Sequence, residues 1–125
     1  MTITMSPEIG ELAKAIASAQ SKLTAVIKGS VNPHFKSAYA DLAAFVEVAR
    51  PIFSASGIAI IQAPGSDGSQ ITLTTMLAHS SGQWLQSTLP MTPAKNDPQG
   101  IVSAITYARR AALAAMTGLA PEDDD

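Results

Sequence analysis

The spacing of apolar residues changes period at Gly57 and changes back near Pro98, and this double switch limits the folds open to the chain. Before Gly57, Ile9, Leu12, Ile16, Leu23, Val26 and Ile27 recur at intervals that place one stripe on a helix. Ser6 stands as an N-cap, with Pro7 at the first helical position and Glu8 beside the positive helix end, so a helix is predicted over 6–29, ending at Gly29. Residues 30–40 read as a loop broken by Pro33. Asp41 caps a second predicted helix over about 42–55, with Leu42, Phe45, Val46, Ala49 and Phe53 as its stripe. Pro51 is expected to kink or shorten that helix and Gly57 to close it.

After Gly57 the pattern is that of strands. Ile58 to Ile61 is a short apolar run, and residues 64–69 read as a turn. Residues 70–78 alternate, with Ile71, Leu73, Thr75 and Leu77 on one face. Ser80-Ser81-Gly82 is a second turn, and 83–89 a third strand around Trp84. A proline-rich loop over 90–98 then leads to a helix over about 99–118 that stops at Gly118. The predicted fold class is α+β: a three-stranded antiparallel meander packed against a long C-terminal helix, with two N-terminal helices. Trp84, Phe45 and Phe53 are assigned to the core.

A chain of 125 residues suits one domain. Charged residues make up only 14% of it, against about 25% in an ordinary soluble domain. Either copies of the chain cover part of one another, or the alanine-rich sequence merely scores as apolar. The net charge is −2, but Glu122, Asp123, Asp124 and Asp125 hold four of the ten acids. Residues 1–121 carry eight bases and six acids, so a weakly basic domain over 1–121 precedes an acidic tail over 122–125. Such a body can bind phosphate if its bases share one face. There is no cysteine, hence no disulfide and no thiolate metal site. No run is long enough for a membrane span, and the N-terminus lacks the pattern of a signal peptide, so a cytoplasmic location without membrane contact is expected.

The last predicted helix carries the sharpest chemistry. At 100° per residue, Ile101, Ile105, Ala108, Ala112, Ala115 and Leu119 fall on one side. Gln99, Ser103, Thr106 and Arg110 fall opposite, flanked by Tyr107 and Arg109. Arginine offers forked donors to phosphate oxygens, and hydroxyls and an amide add neutral ones. The same pattern also describes a plain solvated face. Leu113 lies near the polar side, where exposure would mean contact with a neighbouring subunit. A second cluster, Asn32 to Tyr39, joins Lys36, Ser37, Phe35 and Tyr39 in one loop. Bases stack on aromatic faces and lysine binds phosphate as a point charge; Phe35 is read as anchoring the loop to the core, and Tyr39 can serve either purpose. Lys28 and Lys95 are further cationic candidates.

Three stretches, NPHFKSAYADL at 32–42, AHSSGQWLQSTLP at 78–90 and the segment from Asp97 to Asp125, resemble the ERF (essential recombination function) family of phage single-strand annealing proteins. Several short motifs in order, spread over about residues 10–125, are more specific than any one alone. The resemblance implies an ATP-independent protein of phage recombination that forms rings or helical filaments, binds single-stranded DNA and the annealed duplex intermediate, and works in the bacterial host cytoplasm. A phage exonuclease or a host single-strand binding protein is an implied partner. The family groups with the Rad-fifty-two-like annealing proteins, built on a β-hairpin sheet against a long helix, so residues 1–121 become the expected single-strand annealing core. Lys36, Ser37, Tyr39 and Asp41 match the loop motif, and Ser103, Thr106, Tyr107, Arg109 and Arg110 match the helix motif. Ala38 stands where a second base is common and Ala111 where an aromatic is common, which removes one possible phosphate contact and one stacking or packing group. Relatives usually continue into a variable region, so a chain extending beyond Asp125 is expected.

Rival readings are an enzyme, a scaffold and a protein that only protects single strands. Neither His34 nor His79 has a carboxylate at ligand spacing, no Gly-x-Ser-x-Gly elbow occurs, and the 65–69 turn lacks the lysine of a nucleotide-binding loop. Asp123 to Asp125 could hold Mg²⁺ as in nucleases, but a terminal acidic run is commonly a solvated tail. No catalytic residue, cofactor or metal is predicted. The acidic tail could compete with DNA for a basic groove.

Overall fold

Strand alternation after Gly57 becomes a sheet that every helix packs against. The computed structural model describes residues 3–29 and 42–118. Their elements are β1 (Ile3–Met5), α1 (Gly10–Gly29), α2 (Leu42–Ala55), β2 (Ile58–Asp67), β3 (Gln70–His79), β4 (Trp84–Met91) and α3 (Pro98–Thr117). The sheet is antiparallel throughout, in the order β1-β4-β3-β2.

The α+β class and the meander agree with expectation, and the sheet has one strand more. β1 pairs Ile3, Thr4 and Met5 with Ser87, Gln86 and Leu85. Nothing local marks so short a strand, whose partner is the last strand of the meander. Its presence reassigns Ser6, which does not cap a helix. The Ser6 backbone N–H donates to the Trp84 carbonyl at 2.9 Å, and its Oγ accepts from Trp84 N at 3.0 Å. The first helix therefore starts at Gly10, and the Leu12 N–H near its start is satisfied by Gln83 Oε1 at 2.9 Å.

β2 is more than twice its predicted length. It pairs with β3 from Ile58↔His79 to Asp67↔Gln70, leaving only Gly68 and Ser69 as the turn. Gly68 has φ +66° and Ser69 does not share the positive φ, the pattern of a two-residue hairpin that needs glycine first. Pro64 fits inside β2 because an edge strand has one set of N–H groups with no ladder partner to lose. Pro51 likewise does not end its helix, which runs on to Ala55. Pro51 and Glu47 are both exposed, so water can replace the hydrogen bond that the proline denies the Glu47 carbonyl.

The register lines up Ile60, Leu77 and Leu85 on the helix side of the sheet. The core joins Leu77 and Ile58 to Leu12, Ala19 and Leu23 of α1, Ala49 and Phe53 of α2, and Leu113 and Ala114 of α3. Full burial of each large side chain is worth about 1.5–3 kcal/mol. Phe53 is fully buried as expected, but Trp84 is only half-buried at the start of β4. The Phe45 side chain lies outside the described residues. On the opposite sheet face Ala59, Ile61 and Ala63 of β2 are exposed, and Thr74, Met76, Gln86 and Thr88 are half-buried.

Candidate nucleic-acid interface

α3 is fixed at both ends by its sequence. Asp97 is the N-cap, extended at φ −135° and ψ 168°, and its Oδ1 accepts from Gly100 N at 2.7 Å. Gly100 admits no side chain, because a Cβ there would lie 2.1 Å from the Lys95 carbonyl oxygen. The 92–97 loop thus folds tightly against the helix start, which brings two expected residues, Lys95 and Ser103, into one shallow depression of about 300 Å³. At the other end Gly118 is left-handed at φ +81°, its N–H donating to the Ala114 carbonyl at 3.0 Å.

Between these caps the buried side of α3 turns. Ala108 is buried and Ile101, Ile105 and Ala112 are half-buried, as the wheel predicts. Ala115, expected inside, is exposed, and Leu119 lies outside the described residues. Leu113 is only 2% exposed, so it is a core residue rather than a contact with another subunit. The reason is tertiary: the C-terminal half of α3 is covered by α1 and α2 as well as the sheet. Gln20 Nε2 of α1 donates to the Thr117 carbonyl at 3.3 Å, and Leu113 shares the core with Phe53 and Ala49.

The N-terminal half keeps the predicted polar side open. Ser103 and Thr106 are exposed, and Tyr107 is 66% exposed. The Arg110 guanidinium carbon lies 5.3 Å from the centroid of the Tyr107 ring, within cation–π range. Arg109 turns the other way. Its Nε donates to Gln62 Oε1 at 3.4 Å, while Gln62 Nε2 donates to the Arg109 carbonyl at 3.0 Å and to Thr75 Oγ1 at 3.1 Å. Arg109 thereby lines a groove of about 300 Å³ with Val46 and Arg50 of α2, Ile60, Ile61 and Gln62 of β2, and Leu113.

The two arginines adjacent in sequence thus serve different surfaces. Arg50 and Gln62 had no local signal: Arg50 is an isolated base in an apolar helix, and Gln62 a single amide in a strand. Lys36, Ser37, Tyr39 and Asp41 lie outside the described residues. Lys28 belongs to the last turn of α1, with its side chain outside the described residues. His79, in the matched histidine-serine-glycine stretch, is structural. Its Nδ1 lies 2.8 Å from Ser81 Oγ and accepts from Ser81 N at 3.2 Å, closing the β3–β4 turn with Gly82 at φ +93°. Among the described residues no three His, Cys, Asp or Glu side chains converge as a metal site, and no helix is long and apolar enough to cross a membrane.

Sheet, capped helix and polar helix side together define an α+β protein with an open hydroxyl and phenol strip on its last helix, flanked by the half-buried Arg110. The family model described as the ERF superfamily matches residues 12–125, and the chain belongs to that family. Neither a curated protein nor a solved structure matches the chain significantly.

Proposed function

We propose that the chain binds single-stranded DNA and anneals it to its complement without ATP in phage recombination, as a ring or helical filament of many copies. The observation that carries this reading, beside ERF membership, is the strip on α3: Ser103, Thr106, Tyr107 and Arg110. Guanidinium and hydroxyl groups hold a phosphate backbone without reading sequence, which leaves base edges free to pair. The exposed Tyr107 ring offers a face on which a base can stack. Lys95 and Ser103 extend the strip toward the helix start. Base pairing itself supplies the driving force, so no nucleotide hydrolysis is required and no catalytic residue is assigned.

With few cations per copy, affinity comes from many copies along one strand. The open sheet face supports such association. Two of its central rows, Ile61-Met76-Gln86 and Ala63-Thr74-Thr88, carry no charged residue, so a second copy can cover these rows without desolvating an ion. Lys36, Ser37, Tyr39 and Lys28 are assigned to DNA on the ERF motif and charge alone, with 1–121 as the annealing core and 122–125 as its acidic tail. A phage exonuclease or a host single-strand binding protein is assigned as its partner on the ERF resemblance alone.

The test is the rate at which labelled complementary oligonucleotides pair, with and without protein, in nucleotide-free buffer. Faster pairing supports the reading. Binding without faster pairing makes the chain a protecting or scaffold protein instead.

A further inference from the structure

We propose that the groove at the β2 edge seats one phosphodiester of the single strand, gripped by Arg50 and Arg109, with Gln62 as the residue that positions Arg109. The inference rests on the DNA reading above and adds to it a place for Arg109 and two further residues, Arg50 and Gln62.

Three features support it. First, Arg50 of α2 and Arg109 of α3 line one concavity, and among the described residues none of its lining is acidic. Like charges gathered against an apolar wall of Val46, Ile60 and Leu113 repel one another until an anion lies between them. Second, Arg109 is held in place. Its Nε is engaged by Gln62, whose own amide is fixed by Thr75 and by the Arg109 carbonyl. Binding through Nε leaves the two terminal nitrogens, the pair that meets phosphate oxygens side by side. Third, the groove is open and lies on an edge strand, so a polymer can pass through it. Val46 and Ile60, both half-buried in its wall, give an apolar surface for a sugar or base beside the phosphate. The ligand is therefore a phosphodiester in a single strand.

The experiment uses the whole chain and follows binding of a labelled oligonucleotide across a salt series. Arg50 is exposed, so its replacement leaves the fold intact. Arg50→Ala is expected to weaken binding about tenfold for every base sequence, as one charge-assisted hydrogen-bonding partner of the phosphate is removed. Its log–log salt slope is expected to become shallower by about 0.7 for the phosphate that is no longer neutralised. Arg50→Lys is expected to recover part of the affinity. Gln62→Met is expected to weaken binding in the native background and to have no effect in an Arg109→Ala background, a dependence that a merely structural role would not give.

If the unaltered protein binds no oligonucleotide, the DNA reading falls and the groove assignment falls with it. If the unaltered protein binds, and Arg50→Ala matches it in affinity and slope while Arg110→Ala does not, the groove assignment alone is overturned. Weakened binding together with a smaller particle size by light scattering makes Arg50 an interface residue between copies and also overturns it. So does displacement of the oligonucleotide by millimolar inorganic phosphate at matched ionic strength, which marks a free-anion site.

Discussion

The Arg110 guanidinium sits 5.3 Å from the centre of the Tyr107 ring, one turn earlier on α3, and the half-buried arginine and the 66% exposed ring form a single amphipathic surface. Tyr107→Ala is expected to lose about 1–3 kcal/mol of oligonucleotide binding while the salt slope stays constant, because stacking releases no counterions. Tyr107→Phe keeps the ring and is expected to bind as the unaltered protein does. Fluorescence anisotropy across a salt series measures both quantities.

Arg110→Ala is expected to act differently. It removes a phosphate partner, so affinity falls for all sequences alike and the slope becomes shallower by about 0.7. An unchanged affinity with dissociated oligomers would instead make Arg110 an interface residue.

Leu113 separates packing from binding. It is buried among Phe53, Ala49 and Ala114, so Leu113→Ala is expected to destabilise the fold by about 2–5 kcal/mol. Urea unfolding followed by circular dichroism checks this. A shift below about 0.5 kcal/mol would fit a surface residue instead and contradict the packing described.

The start of α3 gives a graded pair. Asp97→Ala removes the acceptor for Gly100 N and is expected to cost about 1 kcal/mol. Gly100→Ala places a Cβ 2.1 Å from the Lys95 carbonyl oxygen, so the loop must move. The second variant is expected to melt lower than the first and to weaken DNA binding as Lys95 leaves Ser103. Thermal unfolding and anisotropy on the same samples test the order.

How much of this was legible in the sequence follows from how local each signal is. The end of α3 was readable because Gly118 acts on its own neighbours, whereas Asp97 and Pro98, which start the helix, were read as part of the preceding loop; the alternation of Leu73, Thr75 and Leu77 marked the buried sheet face correctly. The length of β2 was hidden by Pro64 and Gly65, turn residues that an edge strand tolerates. β1 and the true role of Ser6 depend on Trp84, far along the chain. The wheel placed Ser103, Thr106 and Tyr107 correctly outside, but it treated α3 as having one buried side. Leu113 is inside because α1 and α2 cover the helix end, which no single-helix pattern contains. For the same reason it could not show that Arg109 and Arg110 part company, or that Arg50 joins the former.

The most direct measurement of the central claim is the pairing rate of two complementary labelled oligonucleotides in buffer free of nucleotide, at low and at high salt. Acceleration by the protein at low salt, diminishing steeply as salt rises, is the predicted result. A particle that stays monomeric and leaves the pairing rate unchanged at every salt concentration would contradict the account.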